Sequence, residues 1–237
     1  ISIENGDIDP ILAACKENNI SAYLGMIERP TDRGGHSLYC SLTYINKKGV
    51  VQSVHRKLQP TFEARLTWSP GDGHGLQTHS LEGFTVGGLN CWENWMPLAR
   101  AAMYGQGENV HIAVWPGSIR NTEDITPFIA KESRSYAISV GSLMRKTDFP
   151  KDTPHYDKII TDAPEDLTDG GSCIANPDGS WLLAPVVGEE GVFSAELDFD
   201  RILEERQNFD PVGHYSRPDV TELRVNKERQ STVTIKE

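Results

Sequence analysis

Phe84-Thr85-Val86-Gly87-Gly88-Leu89-Asn90-Cys91-Trp92-Glu93-Asn94-Trp95 passes from an apolar, strand-like stretch into a helix-like one, with a cysteine at the junction. A thiol at a strand-to-helix elbow is held still near a helix N-terminus. The unpaired N–H groups and positive dipole end there favour a thiolate and any oxyanion formed beside it. Cys91 is therefore the first candidate nucleophile. The competing reading is a buried cysteine that behaves as a small hydrophobe.

Working outward, residues 84–89 are predicted as a strand and 92–106 as a helix with a small-residue face at Ala99, Ala101 and Ala102; Pro97 would kink that helix or shift its start. Upstream, Asp9-Pro10 opens a helix as N-cap and N1. Strands follow at 22–27, 38–45 and 50–54, the last two joined by a turn at 46–49. Lys57 comes directly after this hairpin, and residues 60–75 are irregular. Downstream, a strand at 111–115, a helix at 122–134 and a strand at 136–140 precede a polar excursion at 146–169. Asn176-Pro177-Asp178-Gly179 closes a hairpin of 171–175 with 181–185. A strand at 192–197, a short helix at 200–206 and an extended tail from 211 complete the chain. Strands and helices alternate, so the class is α/β, and the hairpins make the sheet mixed.

The chain has 237 residues, 38% hydrophobic and 24% charged, enough for one large domain or two small ones. A net charge of −11 argues against nucleic acid, which needs concentrated Lys and Arg; His55-Arg56-Lys57 is too short a cluster to change that. No run approaches the ~18 apolar residues of a membrane span. Cys15, Cys40, Cys91 and Cys173 form no C-x-x-C pair, so neither zinc nor a disulfide framework is indicated, and reduced thiols point to the cytoplasm. Residue 1 is not Met and the first residues do not form a signal peptide, so a processed, trimmed or partial chain is expected.

A nucleophilic cysteine needs a partner for its proton and a donor for developing negative charge. None of the histidines sits in a motif that marks it as a base. Lys57, at a strand end, could project toward a site at the sheet edge; the alternative is an ordinary surface lysine. Val54-His55-Arg56-Lys57-Leu58-Gln59-Pro60-Thr61, Trp68-Ser69-Pro70-Gly71-Asp72-Gly73 and Gly87-Gly88-Leu89-Asn90-Cys91-Trp92-Glu93-Asn94 resemble the nitrilase branch of the carbon–nitrogen hydrolase superfamily. Arg134-Ser135-Tyr136 and Val212-Gly213-His214-Tyr215-Ser216-Arg217-Pro218-Asp219 extend the resemblance along almost the whole chain.

The resemblance implies one αββα four-layer sandwich domain over residues 1–237, with residues 208–237 as a tail or oligomer contact. It implies a Glu-Lys-Cys site with Cys91 as nucleophile and Lys57 as the lysine, and no metal or organic cofactor. Lys57 and the Trp92 N–H would stabilise charged intermediates as a small-molecule nitrile becomes a carboxylic acid and ammonia. It also implies a homo-oligomer, a dimer that can extend into spirals. Two departures stand out. The family's Phe-Pro-Glu-Ala segment, which carries the general-base Glu, occurs nowhere in this chain, so the first strands and helix are expected to be missing. Ala64 occupies the position, seven beyond the lysine, where nitrilases usually carry a second Glu, and Glu63 lies one residue early. The chain alone is thus expected to be impaired, as a partial nitrilase, half of a split enzyme, or a non-catalytic assembly protein. Trp92, Trp95 and Trp115 are candidate pocket walls, with core packing the more natural role for Trp95. His214 could reach the site or an oligomer contact. Gly170-Gly171-Ser172 is read as a turn, not a phosphate loop, because Cys173 stands where a Lys would be needed.

Overall fold

Two stretches of chain, Ile1–Glu108 with the described residues from Arg217 onward, and Asn109–Ser216, each fold on themselves in a computed structural model that describes residues 1–231 and 233. In the first unit, α1 (Asp9–Glu17) starts with Pro10 in its first turn, where the missing N–H costs nothing. It buries Cys15 against Ile8, Met26 and Ile45. β1 (Ala22–Glu28), β2 (Tyr39–Ile45) and β3 (Val51–Arg56) form an antiparallel sheet in that order. β2 is buried along nearly its whole length, without inside–outside alternation, because it is covered on both faces.

One cover of β2 is the hairpin of β4 (His79–Leu81) and β5 (Phe84–Asn90). Tyr44 of β2 stacks on His79 with 4.2 Å between ring centroids, and the His79 ring meets Ser53 of β3 at 2.7 Å. The expected helix at 92–106 is divided. Cys91–Trp95 forms a 3-10 turn, Met96 is extended, and α2 (Pro97–Tyr104) begins at the proline. Proline pushes the residue before it out of the helical region, which fixes the break at Met96. Ala99, Ala102 and Met103 of α2 then pack on Leu76 and Leu89.

In the second unit, β6 (Val110–Trp115) runs parallel to its neighbour β7 (Tyr136–Gly141), with α3 (Ile125–Ser133) as the crossover. Ile125, Ile129 and Ala130 are the buried stripe of α3. After β7 come β8 (Leu143–Arg145), α4 (Tyr156–Asp162), β9 (Asp166–Ala175) and β10 (Trp181–Val187). β7, β8 and β10 all pair antiparallel with β9, so the sheet is mixed, as the hairpin signals require. The polar excursion at 146–169 is therefore more ordered than expected, holding α4 and the start of β9. Residues 192–197, expected as a strand, are not one, and Val192 is 100% exposed. A strand persists when a neighbour takes its N–H and C=O groups, and the described residues offer this stretch no ladder partner. α5 (Phe199–Asn208) is capped by Asp198 and tied back by the 2.7 Å Arg134–Glu205 pair. No described helix is long and apolar enough to cross a membrane.

Candidate active site

Cys91 follows the last residue of β5 with φ +54°, in the left-handed region that side chains avoid. Holding a non-glycine residue there costs on the order of 1 kcal/mol, which the surroundings must offset. They do so with a reciprocal cap: Asn90 accepts from the Glu93 N–H, and Glu93 accepts from the Asn90 N–H at 2.9 Å. Asn94 Nδ2 donates to the carbonyls of Leu89 and Cys91 at 3.2 and 2.8 Å, and Arg100 donates to the Asn94 carbonyl at 2.8 Å. The elbow is thus pinned from both sides.

Glu93 also reaches off its own element. Its carboxylate, 1% exposed, accepts from the Leu58 N–H at 2.6 Å and from His55 Nε2 at 2.9 Å. Both partners flank Lys57, so one buried carboxylate joins the nucleophile turn to the lysine segment. The lysine backbone is fixed as well: its N–H donates to the Cys40 carbonyl and its carbonyl accepts from Gly71, each at 2.8 Å. Lys57 is only 3% exposed, and its ammonium donates to Thr61 Oγ1 at 3.1 Å and to the Cys91 sulfur. The surface-lysine reading is overturned. Nor is the basic tripeptide a surface cluster, since all three side chains are buried on separate partners. His55 meets Glu93, Arg56 forms a fork with Glu28 and Asp32, and Lys57 meets Cys91.

Burial pushes the Cys91 thiol up; the Lys57 charge and hydrogen bond and the Trp92 N–H pull it down, and Glu93 adds to the rise. Burial wins, so the thiolate favoured by the elbow is not the resting form. Glu93 is held below its usual range despite its burial, because His55 and the Leu58 and Asn90 N–H groups stabilise the anion. Cys40 is raised too, mainly by burial, with Lys57, Glu93 and Cys91 all acting on it. Cys40 therefore belongs to the same electrostatic neighbourhood.

Cys91, Lys57 and Trp92 lie together in the first unit, with Lys57 and the Trp92 N–H both acting on the Cys91 thiol. Glu63 is exposed on the 3-10 turn Phe62–Leu66 and Ala64 is half-buried there. Trp92 and Trp95 are 50% and 44% exposed with ring centroids 6.5 Å apart, so Trp95 is not a core residue. Trp115 and His214 belong to the second unit. Trp115 is buried there with its Nε1 donating to Ser139 at 3.2 Å, and His214 is exposed beside Tyr215. Glu93, His55 and Cys40 were missed. Asn-Cys-Trp-Glu carries the spacing of a capping box, which was the available signal for Glu93. Among the described residues no group of three or more His, Cys, Asp and Glu is arranged to hold a metal ion.

The carbon–nitrogen hydrolase family profile matches residues 7–207. An aliphatic nitrilase of Sinorhizobium fredii (strain HH103) is 35% identical over 98% of this chain and 73% of its own length. Nitrilase 2 of Arabidopsis thaliana is 32% identical over 99% of this chain and 69% of its own. Among solved structures, a carbon–nitrogen hydrolase from Helicobacter pylori G27 superposes with a TM-score of 0.72 at 20% identity, covering 91% of this chain and 74% of that one. An amidase from Nesterenkonia sp. superposes at 0.64 with 15% identity, over 86% and 71%. The mixed α/β fold is theirs, and by sequence the chain belongs to the nitrilase branch of the carbon–nitrogen hydrolase family.

Proposed function

We propose that this chain carries the nucleophile half of a nitrilase site, which converts an organic nitrile and two waters to a carboxylic acid and ammonia. The observation that carries the reading is the convergence of the Lys57 ammonium and the Trp92 N–H on the Cys91 sulfur. As the thiolate, Cys91 forms the C–S bond at the nitrile carbon, and the displaced π pair goes to nitrogen, which takes a proton to give a thioimidate. Lys57 and the Trp92 N–H stabilise the anionic nitrogen and oxygen centres. Water adds, the C–N bond breaks, and ammonia leaves a thioester. A second water cleaves the C–S bond, releasing the acid and restoring the thiol.

Taking the thiol proton requires a base, and assistance of that kind is typically worth ~10²–10⁴-fold. Glu93 is unsuited, since its oxygens are committed to His55, Leu58 and Asn90. We assign the base to a carboxylate outside residues 1–237, in line with the missing Phe-Pro-Glu-Ala pattern. The exposed Trp92, which follows Cys91 in the chain, and Phe62, which follows the Lys57 partner Thr61, suit an apolar nitrile. The unpaired cysteines suit a reducing compartment.

The test is ammonia release from aliphatic and arylacetonitrile substrates, by this chain alone and by the same chain carrying an upstream carboxylate-bearing segment. Activity in the longer form, abolished by Cys91→Ala, is the expected result. Activity that survives Cys91→Ala would overturn the mechanism. Equal activity of the two forms would overturn the assignment of the base. A folded longer form without turnover would favour the assembly-protein reading.

A further inference from the structure

Residues 226–230 return from the far end of the sequence to the loop beside the catalytic lysine. The Asp72 carboxylate, 6% exposed, accepts from Arg229 Nη1 at 3.1 Å, from the Gln230 N–H at 2.8 Å and from the His74 N–H at 3.1 Å. Arg229 Nη2 also donates to the Val54 carbonyl on β3 at 3.3 Å. His74 Nδ1 lies 3.1 Å from the Lys227 carbonyl, and Lys227 Nζ donates to Gln106 at 3.1 Å.

The loop held this way lies flat on the end of β3. A Cβ at Gly71 would collide with the Arg56 carbonyl, and one at Gly75 with His55 Cα. The Gly71 N–H donates to the Lys57 carbonyl at 2.8 Å. Among the described residues the loop has no sheet ladder of its own, and Asp72 is its buried charged anchor. Removing the guanidinium would take away the ion-pair partner of that carboxylate and leave it only the weaker influence of Arg56, and the loop would lift to bring it to water.

We infer that the 226–230 strap latches the Lys57 ammonium against Cys91, with Asp72 and Arg229 as positioning residues. The latch rests on the proposed action of Lys57 on Cys91. It fixes the lysine through two backbone carbonyls, Val54 and Lys57, and touches neither sulfur nor substrate.

The test is the pH dependence of Cys91 alkylation by iodoacetamide, followed by mass spectrometry in the complete chain, with Lys57→Gln as the reference. Lys57→Gln should raise the alkylation midpoint by about one pH unit and slow the neutral-pH rate about tenfold. Arg229→Ala should move the profile the same way. Asp72→Ala/Arg229→Ala together should be no worse than the worse single change, because the pair acts as a unit. An Arg229→Ala profile that matches wild type while that of Lys57→Gln is shifted overturns the latch alone. An unshifted Lys57→Gln profile overturns the underlying reading of Lys57. Should Arg229→Ala not fold, Arg229→Lys carries the test through Gly71 amide exchange. Faster exchange supports the latch, and unchanged exchange overturns it.

Discussion

Cys91 combines a constrained backbone with an unfavourable resting ionisation. The left-handed φ turns the backbone at the end of β5, and burial there suppresses the thiolate more than Lys57 and Trp92 promote it. Reactivity should therefore climb with pH, with an apparent midpoint above the ordinary thiol value of 9.0. Iodoacetamide alkylation of Cys91 from pH 6 to 10, read residue by residue, checks this. A midpoint below that of a free thiol would mean that Lys57 and Trp92 outweigh burial. The residue identities were legible, since a cysteine at a strand end and a lysine after a hairpin are visible in the letters. What stayed hidden is the sign of the thiol shift. It depends on how much water the fold removes, and no residue spacing encodes that.

The elbow and the lysine segment are joined as elements by Glu93. Its folded pKa lies below its ordinary value of 4.5, so the anion contributes stability that is complete above that pH. The contribution is lost as the pH falls through the lowered folded value, where protonation removes the His55 and N–H partners' charge complement. Glu93→Gln should melt lower than wild type at pH 7, with the gap narrowing toward pH 3, as followed by circular dichroism. The neutral-pH deficit should be about 3 kcal/mol or more, as for a broken buried pair that leaves His55 and two N–H groups mismatched. A gap independent of pH would show that Glu93 acts through packing alone. Most elements were readable from periodicity and turn residues, including the β2–β3 and β9–β10 hairpins and α3. The failures have local causes. Pro97 divides one predicted helix into a 3-10 turn and α2, and the apolar alternation at 192–197 lacks the neighbour that would make it a strand.

At the scale of the whole molecule, the first unit leaves Trp95, Met96 and Leu98 exposed where the 3-10 turn meets α2. Apolar clusters of this kind mark association surfaces. We expect the protein to self-associate through this face, and Leu98→Asp to shift the mass seen by light scattering toward the monomer; an unchanged mass would place any assembly elsewhere. Charge and composition gave no hint of this face, because it is assembled by the turn and α2 together. Nor did the tail announce its role. Arg229 and Asp72 are 157 positions apart, and only the fold makes them neighbours.

That separation has a temporal side. The first unit is discontinuous in sequence, and the residues that secure its lysine loop are made only after Asn109–Ser216 have been translated. Contacts between distant residues form late and slowly. During synthesis the nascent chain would present Cys91 and Lys57 before the strap arrives. The order of translation would then withhold a secured lysine from the growing chain, and clipping between residues 217 and 225 in the mature protein would return it to that unsecured condition.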